Sequence, residues 1–378
     1  MADLQDRLQA AAEEMVAAGT DTGLQIAVRR HGQVVADVAV GLADPRSQAK
    51  VEPGTLFFAA SASKGVAATL AHVLAERGDL DYDLRVADVW PEFGSQGNHG
   101  RHGQDGKNRK DHQDRTTLRH ILMHTAGRPA LPPQTTAADL SDWDRMCAAL
   151  AAAEPWWEPG TRFGYHGMTF GFLLGETIRR ATGRTVTELL ETHLTGPLGA
   201  THEIFFAVPP EALPRVAQQQ PSPGPAEPPA PGTPLDRAMP PALRDTAALG
   251  RDPAVLTADI LSLGTMTARG AALMYSALLG GTPQLVSESR LEEMAAVAFT
   301  GMDQVMGFPT RWAFGYAPDR PGGSGSRDGS AFGMIGSNGS AAYADIDAGL
   351  AVAIMRNGPP AGLDTAARID QLIEEEYR

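Results

Sequence analysis

The chain has 378 residues and a single cysteine, Cys147. That excludes an internal disulfide framework and fits a reducing compartment. Cys147 sits in Trp143-Asp144-Arg145-Met146-Cys147-Ala148-Ala149-Leu150, a helical pattern that suits a small buried thiol better than a nucleophile. No apolar run approaches the roughly 18 residues that a membrane-spanning helix needs. Basic residues are outnumbered, 32 Lys and Arg against 45 Asp and Glu. The net charge of -13 argues against a nucleic-acid footprint and mainly favours solubility. No G-x-S-x-G elbow occurs, so an α/β-hydrolase reading has no nucleophile to start from. No period repeats, which removes array architectures. The first residues, Met1-Ala2-Asp3-Leu4-Gln5-Asp6, lack a basic segment followed by an apolar core and run straight into an amphipathic helix, so a cytoplasmic protein is expected.

What is present is a globular composition, 43% hydrophobic and 20% charged, with enough length for two closely packed subdomains. Residues 3–18 read as a helix. Leu24–Arg30 and Val34–Gly41 alternate around His31-Gly32 and predict a β-hairpin. A counterpart near the other end joins Ser340–Asp345 to Leu350–Asn357, and a closing helix starts near Asp364. This order predicts an α+β fold: one antiparallel sheet built from both chain ends, with helices packed on it. Residues 1–85 and 250–378 would form that sheet lobe and residues 86–249 a mostly helical lobe, with the site in the cleft between them.

Within the middle, helices are expected over Leu118–Met123, Trp143–Ala152, Phe170–Thr182 and Val186–Leu194, and later over Thr257–Ser262 and Ala268–Leu279. Two low-complexity stretches interrupt them. Residues 95–114 are nearly devoid of apolar side chains and predict a solvated loop, whose His99, His102 and His112 lack the preorganised flanks of a metal site. Residues 218–241 are proline-rich and are expected to be extended and helix-free, either a linker or a flap over a pocket.

Chemistry gathers around Phe57-Phe58-Ala59-Ala60-Ser61-Ala62-Ser63-Lys64-Gly65, a strand end entering a buried helix. A spacing of three brings Ser61 and Lys64 onto one helix face, about one turn apart. A serine hydroxyl needs a neighbouring base to act as a nucleophile, and a lysine serves when desolvation keeps it partly neutral. The helix N-terminus adds N–H groups that favour a developing oxyanion. The bland alternative is a serine N-cap beside a solvated lysine. Pro159-Gly160-Thr161-Arg162-Phe163-Gly164-Tyr165-His166 places a tyrosine at another helix start. Beside a lysine ammonium its ionised form would be stabilised, allowing proton exchange with serine and leaving group.

With these segments, and with Leu122-Met123-His124-Thr125-Ala126-Gly127 and Phe332-Gly333-Met334-Ile335-Gly336-Ser337-Asn338-Gly339-Ser340 in the same order, the chain resembles the serine enzymes that include class C β-lactamases, penicillin-binding DD-peptidases and family VIII carboxylesterases. The resemblance spans nearly the whole chain. It implies Ser61 as the acylated nucleophile, Lys64 as its base or base activator and Tyr165 as a second proton carrier, with the backbone N–H groups of Ser61 and Ser337 as the oxyanion hole. It also implies a carboxylesterase, a transacylase that hands the acyl group to an amine or alcohol, or a catalytically weak binding relative. The expected partner is a small-molecule ester or acyl substrate, not nucleic acid or membrane; no metal or organic cofactor is called for, and the oligomeric state is left open.

Two departures stand out. Gly167 replaces the asparagine of the Tyr-x-Asn motif, and Met334 replaces the lysine or histidine that opens the last motif, so efficient β-lactamase activity is not expected and the pocket should be more apolar. Trp156 and Trp157, Trp312 and Phe314 flank the motifs, with core packing expected for at least two. Trp157, His166, Trp312, Met334 and Gly336 are the candidate substrate contacts. His120 and His124 are not expected to be catalytic.

Overall fold

A computed structural model describes residues 3–94, 114–222, 224, 227–321, 330–359 and 362–377. The N-terminal helix Leu4–Ala17, capped by Asp3, leads into strands β1 (Gly23–Arg30), β2 (Gln33–Asp44), β3 (Ala49–Lys50) and β4 (Phe57–Phe58). The serine helix follows over Ser63–Glu76. Further along come β5 (Ile204–Phe205), β6 (Thr265–Met266), β7 (Val297–Met302), β8 (Pro309–Ala313), β9 (Ala317–Pro318), β10 (Ala331–Ile335), β11 (Ala341–Asp345) and β12 (Leu350–Arg356), before the terminal helix Asp364–Tyr377.

The main sheet has the order β3-β2-β1-β12-β11-β10-β9, with antiparallel neighbours throughout, so both chain ends meet at its centre, where Ile26 faces Ile354 and Val28 faces Val352. The period of two explains why. Leu24, Ile26, Val28, Val352 and Ile354 point to one face, where Leu8 and Ile369 of the N-terminal and terminal helices cover them. Ala27, Ala351, Ala353 and Met355 belong to the other face and its larger core, along with Ala271 and Met274 of the helix Ala268–Leu278. Small alanines let that helix lie close to the sheet.

The α+β expectation holds, with two local corrections. The expected helix over Thr257–Ser262 does not form; a short helix, Pro253–Leu256, ends before it. Polar groups there are engaged elsewhere: Ser63 Oγ donates to Leu261 O at 3.1 Å and Ser262 Oγ to Met168 O at 3.3 Å. Residues 218–241 are not helix-free, because Pro234–Ala238 is helical, with the Thr233 side chain as N-cap and proline in the first turn. Its Ala238 and Leu235 pack with Trp156, Trp157 and Val305. The last motif starts on β10, Ala331–Ile335, and ends directly before β11. Of the polar stretch 95–114, all but Asp114 lies outside the described residues, including His99, His102 and His112. Among the described residues no helix is long and apolar enough to cross a membrane.

Candidate active site

The segment around Ser61 is not a capped helix start. Ala60–Ala62 forms a single 3-10 turn ahead of the serine helix, whose N-cap is Ala62 with no side-chain cap. The Ser61 hydroxyl therefore has no capping role. Ala60 holds a φ of 45°, a left-handed conformation that alanine adopts only at a cost of about 1 kcal/mol or more. The strand β4 is fixed just before it: Ala59 N donates to Gly264 O at 2.9 Å, and Asn338 Nδ2 to Phe58 O at 2.8 Å.

Lys64 Nζ donates to Ser61 Oγ at 2.8 Å, as the spacing predicts. Lys64 is 1% exposed, and burial drops its pKa from 10.5 to about 7, because taking an ammonium out of water disfavours the charged form. The same amine lies 5.1 Å from the centroid of the Tyr165 ring. Here the expectation about tyrosine fails. Burial raises the Tyr165 phenol to about 12, outweighing its hydrogen bond with Ser61, while Asp303 adds a further upward push. The lysine is itself desolvated and partly neutral, so it supplies too little charge to ionise the phenol. At neutral pH the site holds a neutral tyrosine and a lysine close to the midpoint of its titration.

The candidate contacts divide. Gly336 meets Ala59 so closely that a Cβ on it would lie 2.4 Å from Ala59 O, and its N–H donates to Ser340 O at 2.7 Å. Ser337, the next residue, has its hydroxyl 3.0 Å from Thr246 Oγ1. Met334 is buried, with its Cγ 3.4 Å from the position a Gly65 Cβ would take. Trp312 is buried too, donating its indole N–H to Leu122 O at 3.2 Å and lying 6.0 Å from the Tyr165 ring. Trp157 donates to Thr125 O at 3.3 Å and packs edge-on to His166. Phe314 is buried as well, so three of the four flanking aromatics are core residues and Trp156 is half-buried. His166 is a correction: it is 1% exposed, its Nε2 accepts from Arg128 N at 3.1 Å and its Nδ1 pairs with Gly164 O at 2.6 Å. Both ring nitrogens serve the backbone, leaving none for a substrate.

Asp303 carried no sequence signal. It comes from the turn between β7 and β8, is 2% exposed, and accepts from Tyr165 N at 3.2 Å, Val305 N at 2.8 Å and Met306 N at 2.9 Å. An isolated aspartate in a turn looks like any other; only the fold brings it to the tyrosine.

Comparison with known proteins places the chain among esterases and penicillin-binding protein homologues of the same fold. The chain is 34% identical over 197 residues to Esterase/beta-lactamase LipL of Mycobacterium tuberculosis, covering 52% of this chain and 42% of that one. The chain spans about half the length of the curated relatives it matches. Among solved structures, a family VIII carboxylesterase superposes with a TM-score of 0.82 at 29% identity, covering 97% of this chain and 98% of its own. A penicillin-binding protein homolog from Caulobacter crescentus does so with a TM-score of 0.83 at 30% identity, over 99% and 98%. The model of the Beta-lactamase family matches residues 8–375, and the serine turn, the tyrosine loop and β10 all lie inside that span; the chain belongs to the beta-lactamase family.

Proposed function

We propose that the protein is a serine acyl-transfer enzyme, acting as a carboxylesterase on small or natural-product esters through an acyl-Ser61 intermediate. One observation carries this reading: a buried Lys64 amine, held at about 7, donates to the Ser61 hydroxyl at 2.8 Å. A binding module gains nothing from desolvating a lysine against a serine.

Neutral Lys64 accepts the proton of Ser61 as Oγ attacks the ester carbonyl. The N–H groups of Ser61 and Ser337 hold the oxyanion. Neutral Tyr165 gives its proton to the departing alkoxide and is reprotonated from Lys64. A second nucleophile then releases the acyl group by the reverse sequence. Gly167 and Met334 offer neither an amide nor a cation to a lactam substrate, which supports weak or absent β-lactamase activity.

Mass-spectrometric product analysis tests the reading. A panel of aryl and methyl esters, with and without added amines, is expected to give free acid with wild type and none with Ser61→Ala. Amide or exchanged ester in place of acid would make the protein a transacylase instead, and failure of a fluorophosphonate to label Ser61 in folded protein would remove the enzyme reading altogether.

Gly336→Ala is expected to lower kcat/KM by roughly 100-fold or more. A methyl group 2.4 Å from Ala59 O and 2.7 Å from Asn338 Oδ1 has to push β10, with the Ser337 N–H, away from Ser61. Steady-state kinetics on an aryl ester, alongside circular dichroism, checks this; unchanged kinetics in a folded variant would refute the close approach.

A further inference from the structure

Tyr165 lies in an irregular segment before the helix Thr169–Thr182, where no ladder or helix holds the backbone. Yet three successive amides there each meet an acceptor from far along the chain. Gly164 N donates to His124 O at 3.1 Å. Tyr165 N donates to the Asp303 carboxylate at 3.2 and 3.3 Å. His166 N donates to His124 Nδ1 at 3.0 Å. His124 thus grips the segment on both sides of the tyrosine, once by its carbonyl and once by its ring.

The ring also braces the tyrosine face. His124 lies 4.8 Å from Tyr165, stacks on Phe170 at 4.9 Å and meets Trp312 edge-on at 4.8 Å. It is fully buried, and its backbone is left-handed, with φ 53°. A left-handed non-glycine residue held by its surroundings marks a place where position is being enforced. Because Nδ1 accepts an N–H, the ring must be neutral with its proton on Nε2, which agrees with burial holding its pKa well below 6.5.

We infer that His124 and Asp303 are positioning residues that clamp the Gly164-Tyr165-His166 backbone, so that the Tyr165 phenol is aimed at the leaving group. This rests on the proton role given to Tyr165 above. General-acid transfer is sensitive to ångström-scale misplacement, whereas attack by Ser61 depends on Lys64 and the oxyanion donors. Loosening the clamp must therefore hurt esters whose leaving group needs a proton far more than those whose leaving group does not.

The test compares an ethyl ester with the p-nitrophenyl ester of the same acid, since nitrophenolate departs without a proton. His124→Phe keeps an aromatic ring but loses the acceptor; it is expected to lower kcat/KM roughly 100-fold on the ethyl ester and less than about tenfold on the nitrophenyl ester. His124→Asn restores an acceptor near the Nδ1 position and tolerates left-handed backbone, so it should recover at least about tenfold of the ethyl-ester loss. Tyr165→Phe, measured in parallel, must show the same leaving-group split. If it does and folded His124→Phe loses both esters equally, or neither, the clamp is overturned. If Tyr165→Phe itself shows no split, the proton role of Tyr165 falls, and the clamp's purpose with it. Should His124→Phe not fold, Asp303→Asn puts the same question from the other side: Oδ1 still accepts from Val305 and Met306, but the Tyr165 N–H, which bonds both carboxylate oxygens, loses Oδ2 to an amide donor that opposes it, and the same leaving-group split is expected.

Discussion

Lys64→Met is expected to cut esterase kcat/KM by roughly 1,000-fold or more while making the folded protein more stable. The loss follows from removing the amine 2.8 Å from Ser61 Oγ that the proposed mechanism uses as base, while the Tyr165 phenol, raised to about 12, stays protonated. The gain follows from the same desolvation. A buried lysine whose pKa falls from 10.5 to about 7 carries a penalty that methionine of similar shape avoids. The unfolded chain binds the Lys64 proton up to about 10.5 and the folded chain only up to about 7, so the unfolded state holds more protons between these values and wild-type stability rises with pH across that window. The stability advantage of Lys64→Met should be largest below pH 7 and shrink toward 10.5, as thermal melts at several pH values will reveal. A constant difference in midpoint would sink the desolvation argument. In wild type, kcat/KM should fall as pH drops through about 7, because protonated Lys64 cannot accept the serine proton, and Tyr165 at about 12 adds no limb near neutrality.

Arg356→Met should have the largest effect on stability, a loss of about 3 to 5 kcal/mol, because it leaves the Asp21 carboxylate buried without its cation. Both side chains are fully buried, and Arg356 Nε donates to Asp21 Oδ1 while Thr365 Oγ1 donates to Oδ2 at 2.7 Å. The pair joins the loop after the N-terminal helix, the end of β12 and the start of the terminal helix. It also reaches the site: Arg356 Nη1 donates to Asn338 O at 2.7 Å, one residue beyond Ser337. Denaturant titration and the rate of Ser61 phosphonylation should therefore both fall. Adding Asp21→Asn to Arg356→Met should recover part of the lost stability, since an amide costs far less to bury than an unpaired carboxylate. No recovery in the double variant would mean that packing rather than charge dominates.

The sheet was legible because alternation is local: Leu350, Val352 and Ile354 against Ala351, Ala353 and Met355 announce a strand buried on both faces before any partner is known. The serine and lysine were legible for a similar reason, as three residues of separation bring side chains together on any helix. Thr257–Ser262 misled because its apolar spacing suits a helix, while the carbonyl of Leu261 and the hydroxyl of Ser262 are drawn to Ser63 and Met168. Pro234–Ala238 departs from the helix-free expectation because proline breaks a helix only in its interior, whereas proline in a first turn after a threonine cap starts one. His166 misled because adjacency to a functional residue says nothing about where a ring points.

Sequence by itself determined the α+β architecture and the two hairpins, and it singled out Ser61, Lys64 and Tyr165 as candidates, since each follows from short-range periodicity or from motifs read along the chain. Tertiary structure alone decided the state of that set: a lysine near neutrality, a protonated tyrosine, Asp303 at the Tyr165 amide across 138 positions, and Asn338 at Phe58 across 280. The division has a physical reason: spacing fixes which side chains neighbour one another on an element, whereas desolvation and long-range hydrogen bonds depend on what the rest of the chain packs around them.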